Sequence, residues 1–474
     1  MAFTLNEATI SDMQYEVEAG NLSAKKLTMM YLKQIADHND EINAVLEMNP
    51  EALHIAEALD TERKQNGTRS PLHGIPILIK DNINTAGDNT HTTAGSLALE
   101  NHYAREDAFI VKKLRAAGAV ILGKTNLTEW ANFMTDGMPN GFSSLGGQVM
   151  NPYGLGEFDT GGSSAGSGAG IAANFAAGAI GTETSGSILS PASSNAIVGI
   201  KPTVGLLSRT GIIPISTSQD TAGPMTRTVR DAAIMLNALT GIDEQDPATF
   251  ISRDNVTADY VQALNKNGLK TARLGISHDY LKDLDEDEAA IINTALADME
   301  KLGAAIADPV ELPFHSNDIS VMIHEFKNGL NAFLKDLPAY SSVHSLEDVI
   351  QFNKQHKQKA LKYGQTRFEQ SDKKSGKLTE AEYINARLKD LEMSQEKGID
   401  KAIEENNLDA LIFANNYGSI IAAKAGYPSI TVPAGFTSAG KPVGITFTGA
   451  AFSEARLIEL AYAYEQATKH RKEP

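Results

Sequence analysis

The stretch covering residues 161–190 constrains this chain more than any other. It reads Gly161-Gly162-Ser163-Ser164-Ala165-Gly166-Ser167-Gly168-Ala169-Gly170, then a run of small residues, then Gly181-Thr182-Glu183-Thr184-Ser185-Gly186-Ser187-Ile188. Side chains this small let backbones approach closely, so the segment belongs in a crowded interior. Four readings compete. A tightly packed helix flanked by turns accounts for the small residues but not for two separate Ser/Gly clusters. A phosphate-binding loop would use backbone N–H groups before a helix. However, no Gly-x-x-x-x-Gly-Lys-Ser/Thr occurs, and no Gly-x-Gly-x-x-Gly sits between a strand and a helix. A nucleophile elbow matches Gly162-Ser163-Ser164-Ala165-Gly166, with Ser164 as nucleophile. Its base would be a downstream His, and His324, His344 and His356 lie in polar helical sequence. The fourth reading takes a lysine as base. A serine hydroxyl is a weak nucleophile until its proton is removed, and burial favours the neutral amine that can remove it. Lys80 ends the apolar run Ile77-Leu78-Ile79, which suits a desolvated amine. The plain alternative is a strand-end lysine reaching solvent. Ser23 with Lys26 and Ser371 with Lys374 sit in polar helical sequence and read as chance spacings.

The rest of the chain changes texture around this segment. Residues 1–69 read as helices, one capped by Ser23 and carrying Leu27, Met30, Tyr31 and Ile35 on one face. Residues 70–235 are dense in Gly, Ser, Thr and short apolar runs; 74–80 and 119–123 read as buried strands, with a helix over 109–117. Residues 240–405 turn polar and helical, a solvated cover in which Ser345-Leu346-Glu347-Asp348 and Thr379-Glu380-Ala381-Glu382 read as capping boxes. Buried texture returns over 406–474, with Ala410-Leu411-Ile412-Phe413 and Ser429-Ile430-Thr431-Val432-Pro433 as strands and 454–467 as a closing helix. Strand-like sequence on both sides of a helical insertion predicts an α/β fold. We expect a single large domain, residues 1–474, with a central mixed β-sheet covered by helices and completed by the C-terminal part.

Composition removes several classes of function. With 42 Lys+Arg against 59 Asp+Glu, the net charge is −17. That balance argues against a nucleic acid or an anionic membrane as partner, since both attract positive charge. An apolar fraction of 42% and a charged fraction of 21% are ordinary for a globular chain. The absence of cysteine excludes disulfides, Cys-ligated zinc, Fe–S clusters and a thiol nucleophile. No run of about 20 apolar residues offers a spanning helix. The opening Met-Ala-Phe-Thr-Leu-Asn-Glu has no basic region and no apolar run behind it, so we read no secretory leader and expect a cytoplasmic protein.

Three motifs resemble the amidase signature family of serine hydrolases. They are Gly74-Ile75-Pro76-Ile77-Leu78-Ile79-Lys80-Asp81-Asn82, Gly161-Gly162-Ser163-Ser164-Ala165-Gly166-Ser167 and Gly181-Thr182-Glu183-Thr184-Ser185-Gly186-Ser187-Ile188. Gly123-Lys124-Thr125-Asn126-Leu127, Gly199-Ile200-Lys201-Pro202-Thr203-Val204-Gly205, Ser218-Gln219-Asp220-Thr221-Ala222-Gly223-Pro224 and the segment 425–433 extend the resemblance over nearly the whole chain. Glu129-Trp130-Ala131-Asn132-Phe133 and Thr182-Glu183-Thr184 look most like the peptide-amidase and acylamidase branch.

The resemblance implies a Ser–Ser–Lys triad: Ser187 as nucleophile, Ser163 as bridging serine after a cis peptide bond from Gly162, and Lys80 as base. It implies hydrolysis of a linear carboxamide to an acid and ammonia or amine through an acyl-enzyme, with no metal or other cofactor. The oxyanion would meet backbone N–H groups of Thr184, Ser185, Gly186 and Ser187. Asn132 and Phe133 would line the acyl pocket, while Ser164, Thr182, Asp220 and Arg227 would brace the site. The expected partner is a small-molecule or short peptide amide, met by a monomer or homodimer without nucleic acid or membrane. The rival within the same resemblance is the glutaminase component of a tRNA-dependent amidotransferase. Two departures bear on substrate preference. Many family members have Gly-Gly-Ser-Ile-Arg where this chain has Ser185-Gly186-Ser187-Ile188-Leu189, and Glu183 stands where Asp is usual.

Overall fold

The computed structural model describes residues 3–313 and 318–474; Met1 and Ala2, on which the leader reading partly rests, and residues 314–317 of the helical cover lie outside them. The strands are β1 (Val45–Met48), β2 (Pro76–Lys80), β3 (Val120–Thr125), β4 (Phe142–Ser143), β5 (Gly147–Gln148), β6 (Gly178–Glu183), β7 (Val198–Lys201), β8 (Thr221–Thr226), β9 (Arg273–Ile276), β10 (Ala305–Ala307), β11 (Ala410–Ala414), β12 (Ser429–Phe436) and β13 (Pro442–Thr448). Eleven of them form one mixed sheet in the order β1-β3-β2-β6-β8-β7-β12-β13-β11-β9-β10, and β4 pairs with β5 apart from it. The expected α/β architecture is therefore present.

The centre of the sheet carries the residues of interest. β2 runs parallel to both β3 and β6, and β8 runs antiparallel to β6 and β7. All five residues of β2 are buried. Its unbroken apolar run is what a parallel strand covered on both faces requires. β12 pairs with β7, and β13 with β11, so the C-terminal residues complete the sheet as the texture of the sequence suggested. Residues 240–405 depart from expectation in one respect. They are mainly helical but also supply β9 and β10, which extend the sheet parallel to β11.

Of the three N-caps expected from the sequence, two form. Ser23 accepts from Lys26 N–H, and Ser345 from Asp348 N–H. The Asp348 carboxylate reaches His344 N–H, so the reciprocal half of a capping box is not made at Ser345 itself. Thr379 caps nothing. The helix Ala381–Leu391 begins after Glu380, whose carboxylate accepts instead from Ser375 N–H.

Of three apolar cores among the described residues, two bear on the site. The larger lies along the sheet and includes Ile77, Val120, Ile180, Val198, Ile430 and Phe447. The smaller packs Trp130, Phe133, Ile213 and Ile215 against Phe326 and Leu330 of the helix Ser320–Lys335. The helical cover is thus seated on the loops beside the centre of the sheet. Among the described residues, no helix is long and apolar enough to cross a membrane.

Candidate active site

Lys80 is the last residue of β2 and is fully buried. Its Nζ lies 2.8 Å from Ser163 Oγ, 2.9 Å from Ser164 Oγ, 2.9 Å from Thr182 Oγ1 and 3.3 Å from the Thr182 carbonyl oxygen. None of these partners carries a charge. Burial pushes the amine down from its ordinary 10.5 to about 7, while Glu183 and Asp220, which do not bond it, pull it upward. An ammonium there would lose hydration without a neutralising contact, so the neutral amine is favoured.

The hydroxyls around Lys80 come from the two Ser/Gly clusters. Ser163 and Ser164 lie at the start of the helix Ala165–Ala172, and the Gly162–Ser163 peptide bond is cis. Ser164 Oγ donates to the Thr182 carbonyl and accepts from Thr182 N–H, which stitches the helix start onto β6. Gly181 makes that approach possible: a Cβ there would stand 2.9 Å from Ser164 Oγ.

Ser187 sits on the turn between β6 and the helix Leu189–Ser194 and is 9% exposed. Its carbonyl accepts from Ser164 N–H at 3.1 Å, which sets the turn beside the amine cluster. The Ser187 hydroxyl makes no hydrogen bond among the described residues, so the expected contact between the Ser163 and Ser187 hydroxyls is not formed. The N–H groups of Ser185, Gly186 and Ser187 likewise donate to no acceptor among the described residues. Gly186 has φ +85°, a left-handed conformation that favours glycine. The turn is held from both ends. The Glu183 carboxylate accepts from Ile188 N–H at 2.7 Å and Leu189 N–H at 3.0 Å. Thr184 Oγ1 donates to Asp220 Oδ1 at 2.5 Å, and Asp220 Oδ2 accepts from Ile215 and Ser216 N–H at 2.8 and 2.9 Å. Burial raises the Asp220 carboxyl to about 6 against these bonds.

A cavity of about 360 Å³ borders this cluster. Asn82, Thr182, Thr184 and Asp220 line it on the sheet side, Ile212, Ile213 and Ile215 form an apolar wall, and Ala332 and Phe333 come from the helical cover. Arg209, paired with Asp246 at 2.9 Å, adds a charged section. Among the described residues, no group of three or more His, Asp and Glu is placed to hold a metal ion.

Three expectations need correction. Arg227 does not brace this site. β8 has six residues, spans roughly 20 Å and separates Asp220 at one end from Arg227 at the other. There Arg227 donates to the carbonyls of Ala8, Ile171 and Ala176. Phe133 does not line the cavity. It is buried in the smaller core, with its ring 4.9 Å from that of Phe326. Asn132 also lies outside the cavity, and its carbonyl accepts from Arg367. Trp130, Ala131 and Asn132 all have positive φ, and this turn presents Ala131 to the cavity instead. Lys80, Ser163, Ser164, Thr182 and Ser187 do come together, with Thr184, Ser185, Gly186 and Asp220 adjoining.

The sequence reading gave no site role to Gln219, Glu325 or Asn82. Gln219 Nε2 donates to the Thr184 carbonyl at 3.3 Å. Glu325, buried on the helical cover, accepts from Ser218 N–H and Oγ, from Ser216 Oγ and from Tyr383 OH, and so fastens the cover to the loop carrying Asp220. Only Asn82 had a local signal, its place two residues after Lys80.

The mixed sheet thus sets a desolvated amine among hydroxyls beside a cavity. The family model described as Amidase matches residues 26–417, and the chain belongs to the amidase signature family. A probable amidase of Arabidopsis thaliana is 42% identical over the whole of this chain and 92% of its own length. The structure of the peptide amidase of Stenotrophomonas maltophilia superposes with a TM-score of 0.93 at 43% identity, covering 99% of this chain and 98% of that one. A component of the glutamyl-tRNA(Gln) amidotransferase of Methylobacillus flagellatus is 44% identical over 62% of this chain and 57% of its own length. The chain is therefore an amidase family enzyme acting on amides.

Proposed function

We propose that this enzyme hydrolyses a carboxamide to a carboxylic acid and ammonia or amine through an acyl-enzyme on Ser187. The observation that carries the reading is the buried Lys80 amine, which has only uncharged partners and lies 2.8 Å from Ser163 Oγ. Neutral Lys80 accepts the Ser163 proton as Ser163 takes that of Ser187. No described residue holds the Ser187 hydroxyl elsewhere, and in this reading it turns onto Ser163 by a change of χ1 well. Ser187 Oγ then bonds to the amide carbon. The negative oxygen is met by the N–H donors of Ser185, Gly186 and Ser187, which have no acceptor among the described residues. The relay returns its proton to the leaving nitrogen as the C–N bond breaks. Water, deprotonated by the same route, cleaves the ester and restores Ser187.

The substrate in this reading is a small molecule or short peptide amide, taken up by a monomer or homodimer without nucleic acid. The test is a panel of primary amides assayed for ammonia release without ATP or RNA, with Ser187→Ala as control. Turnover should fall by about 10⁴-fold or more in the variant, as for single deletions in other serine triads. Ammonia release that needs partner chains and misacylated tRNA would instead identify the glutaminase component of an amidotransferase.

A further inference from the structure

Asn82 lies just past the end of β2 and is 2% exposed. Its Nδ2 donates to Thr182 Oγ1 at 3.0 Å, the same hydroxyl that accepts from Lys80 Nζ at 2.9 Å. Its backbone carbonyl accepts from Ile213 N–H at 2.9 Å, which ties it to the apolar wall of the cavity. The side chain lines that cavity, and its Oδ1 is buried without a hydrogen-bond partner. Glu183 Oε1, also of a cavity-lining residue, is likewise buried and unpaired, but that carboxylate is tied through Oε2 to the Ile188 and Leu189 N–H groups; Trp130 Nε1 and both ring nitrogens of His102 are unpaired in residues that do not line the cavity. Buried amide oxygens are paired in the great majority of cases, because an unpaired acceptor gives up water for nothing. Asn82 therefore offers a fixed acceptor to whatever enters, one hydroxyl away from the Lys80 amine.

We propose that Asn82 is a substrate-binding residue whose side-chain oxygen accepts a hydrogen bond from the N–H of the substrate's amide group. The proposal rests on the hydrolytic reading above. A carboxamide nitrogen brings one or two N–H donors, whereas an ester oxygen brings none. As the leaving nitrogen takes up its proton it becomes a charge-assisted donor, so the bond strengthens while the C–N bond breaks. The acceptor thus favours amides at the chemical step and not only in binding.

The experiment compares two reactions on wild type and Asn82→Ala: ammonia release from a primary amide, and covalent labelling by an alkyl fluorophosphonate. In labelling, Ser187 Oγ forms the O–P bond, fluoride leaves, and the serine proton passes to Lys80; the probe has no N–H. We expect kcat/KM for the amide to fall roughly 10- to 100-fold while the labelling rate stays within about 3-fold. Both reactions need the neutral amine, so their ratio cancels any disturbance of Lys80 through Thr182. Asn82→Asp keeps an acceptor oxygen and should restore the wild-type ratio. Equal losses in both reactions, an undiminished amide rate, or an Asn82→Asp ratio matching that of Asn82→Ala would overturn the proposal. Asn82→Leu, similar in shape and without an acceptor, takes the same reading if Asn82→Ala does not fold. A wild-type enzyme that neither releases ammonia nor labels would instead overturn the hydrolytic reading itself.

Discussion

The acid side of the pH profile tests the role given to Lys80. An ordinary lysine, at 10.5, would be neutral in only ~0.03% of molecules at pH 7; burial brings Lys80 to about 7, where half the molecules carry the free base. If that base starts the reaction, kcat/KM should hold a plateau above pH 8 and fall tenfold per pH unit below 7. It should reach about 1% of the plateau at pH 5. Asp220→Asn removes one of the carboxylates that pull the amine upward, so the midpoint should move to lower pH in that variant. Unfolding should not mimic the acid limb. His102, lowered to about 4 by burial, acts the other way, but burial raises Glu129 and Glu465 to about 7 and Asp220 and Asp231 to about 6, so in this window these four carboxyls bind more protons in the folded chain than in the unfolded one. The stabilisation these groups contribute is present at low pH and is lost as pH rises through their folded values. The assay is ammonia release from an uncharged amide between pH 5 and 9, with circular dichroism on the same samples. A flat profile to pH 5, or an Asp220→Asn midpoint displaced upward, would refute the assignment of the base.

Other residues make separable predictions. Glu325→Ala leaves Ser218 N–H and Tyr383 OH without their acceptor. It should cost about 1–3 kcal/mol in urea unfolding and raise KM more than it lowers kcat, because the loosened loop lines the cavity; unchanged stability and KM would show that the cover is not fastened there. Arg227→Ala should destabilise by a similar amount while kcat/KM of the folded enzyme stays within about 3-fold. A tenfold loss of kcat/KM in the folded variant would return Arg227 to the active site.

Burial was legible where composition forces it. The run Ile77-Leu78-Ile79 marked an interior strand, which suited a buried Lys80 while leaving a strand-end lysine reaching solvent open, and the two Ser/Gly clusters marked where backbones must meet. Distance across the sheet was not legible. Asp220 and Arg227 are near in sequence, yet the intervening strand sends them to opposite ends of β8. Phe133 was misplaced for a related reason: consecutive left-handed residues turn the chain at 130–132, so neighbours face a cavity and a core by turns. β9 and β10 escaped notice because each is short and begins at an exposed residue, Arg273 and Ala305. Ser216, Ser218 and Glu325 form a clamp only through pairing between segments about a hundred residues apart, and no local pattern announces that.

The order of strands also governs when this protein can exist. β7 has no partner on its outer side until β12, more than two hundred residues later, and β9 and β10 reach the sheet only through β11. A nascent chain leaving the ribosome therefore holds the edge of β7 open for roughly half of its synthesis, a template for pairing with other chains. A message truncated before codon 429 would yield neither half an enzyme nor a milder one, but a sticky fragment for the chaperone and protease machinery of the cell.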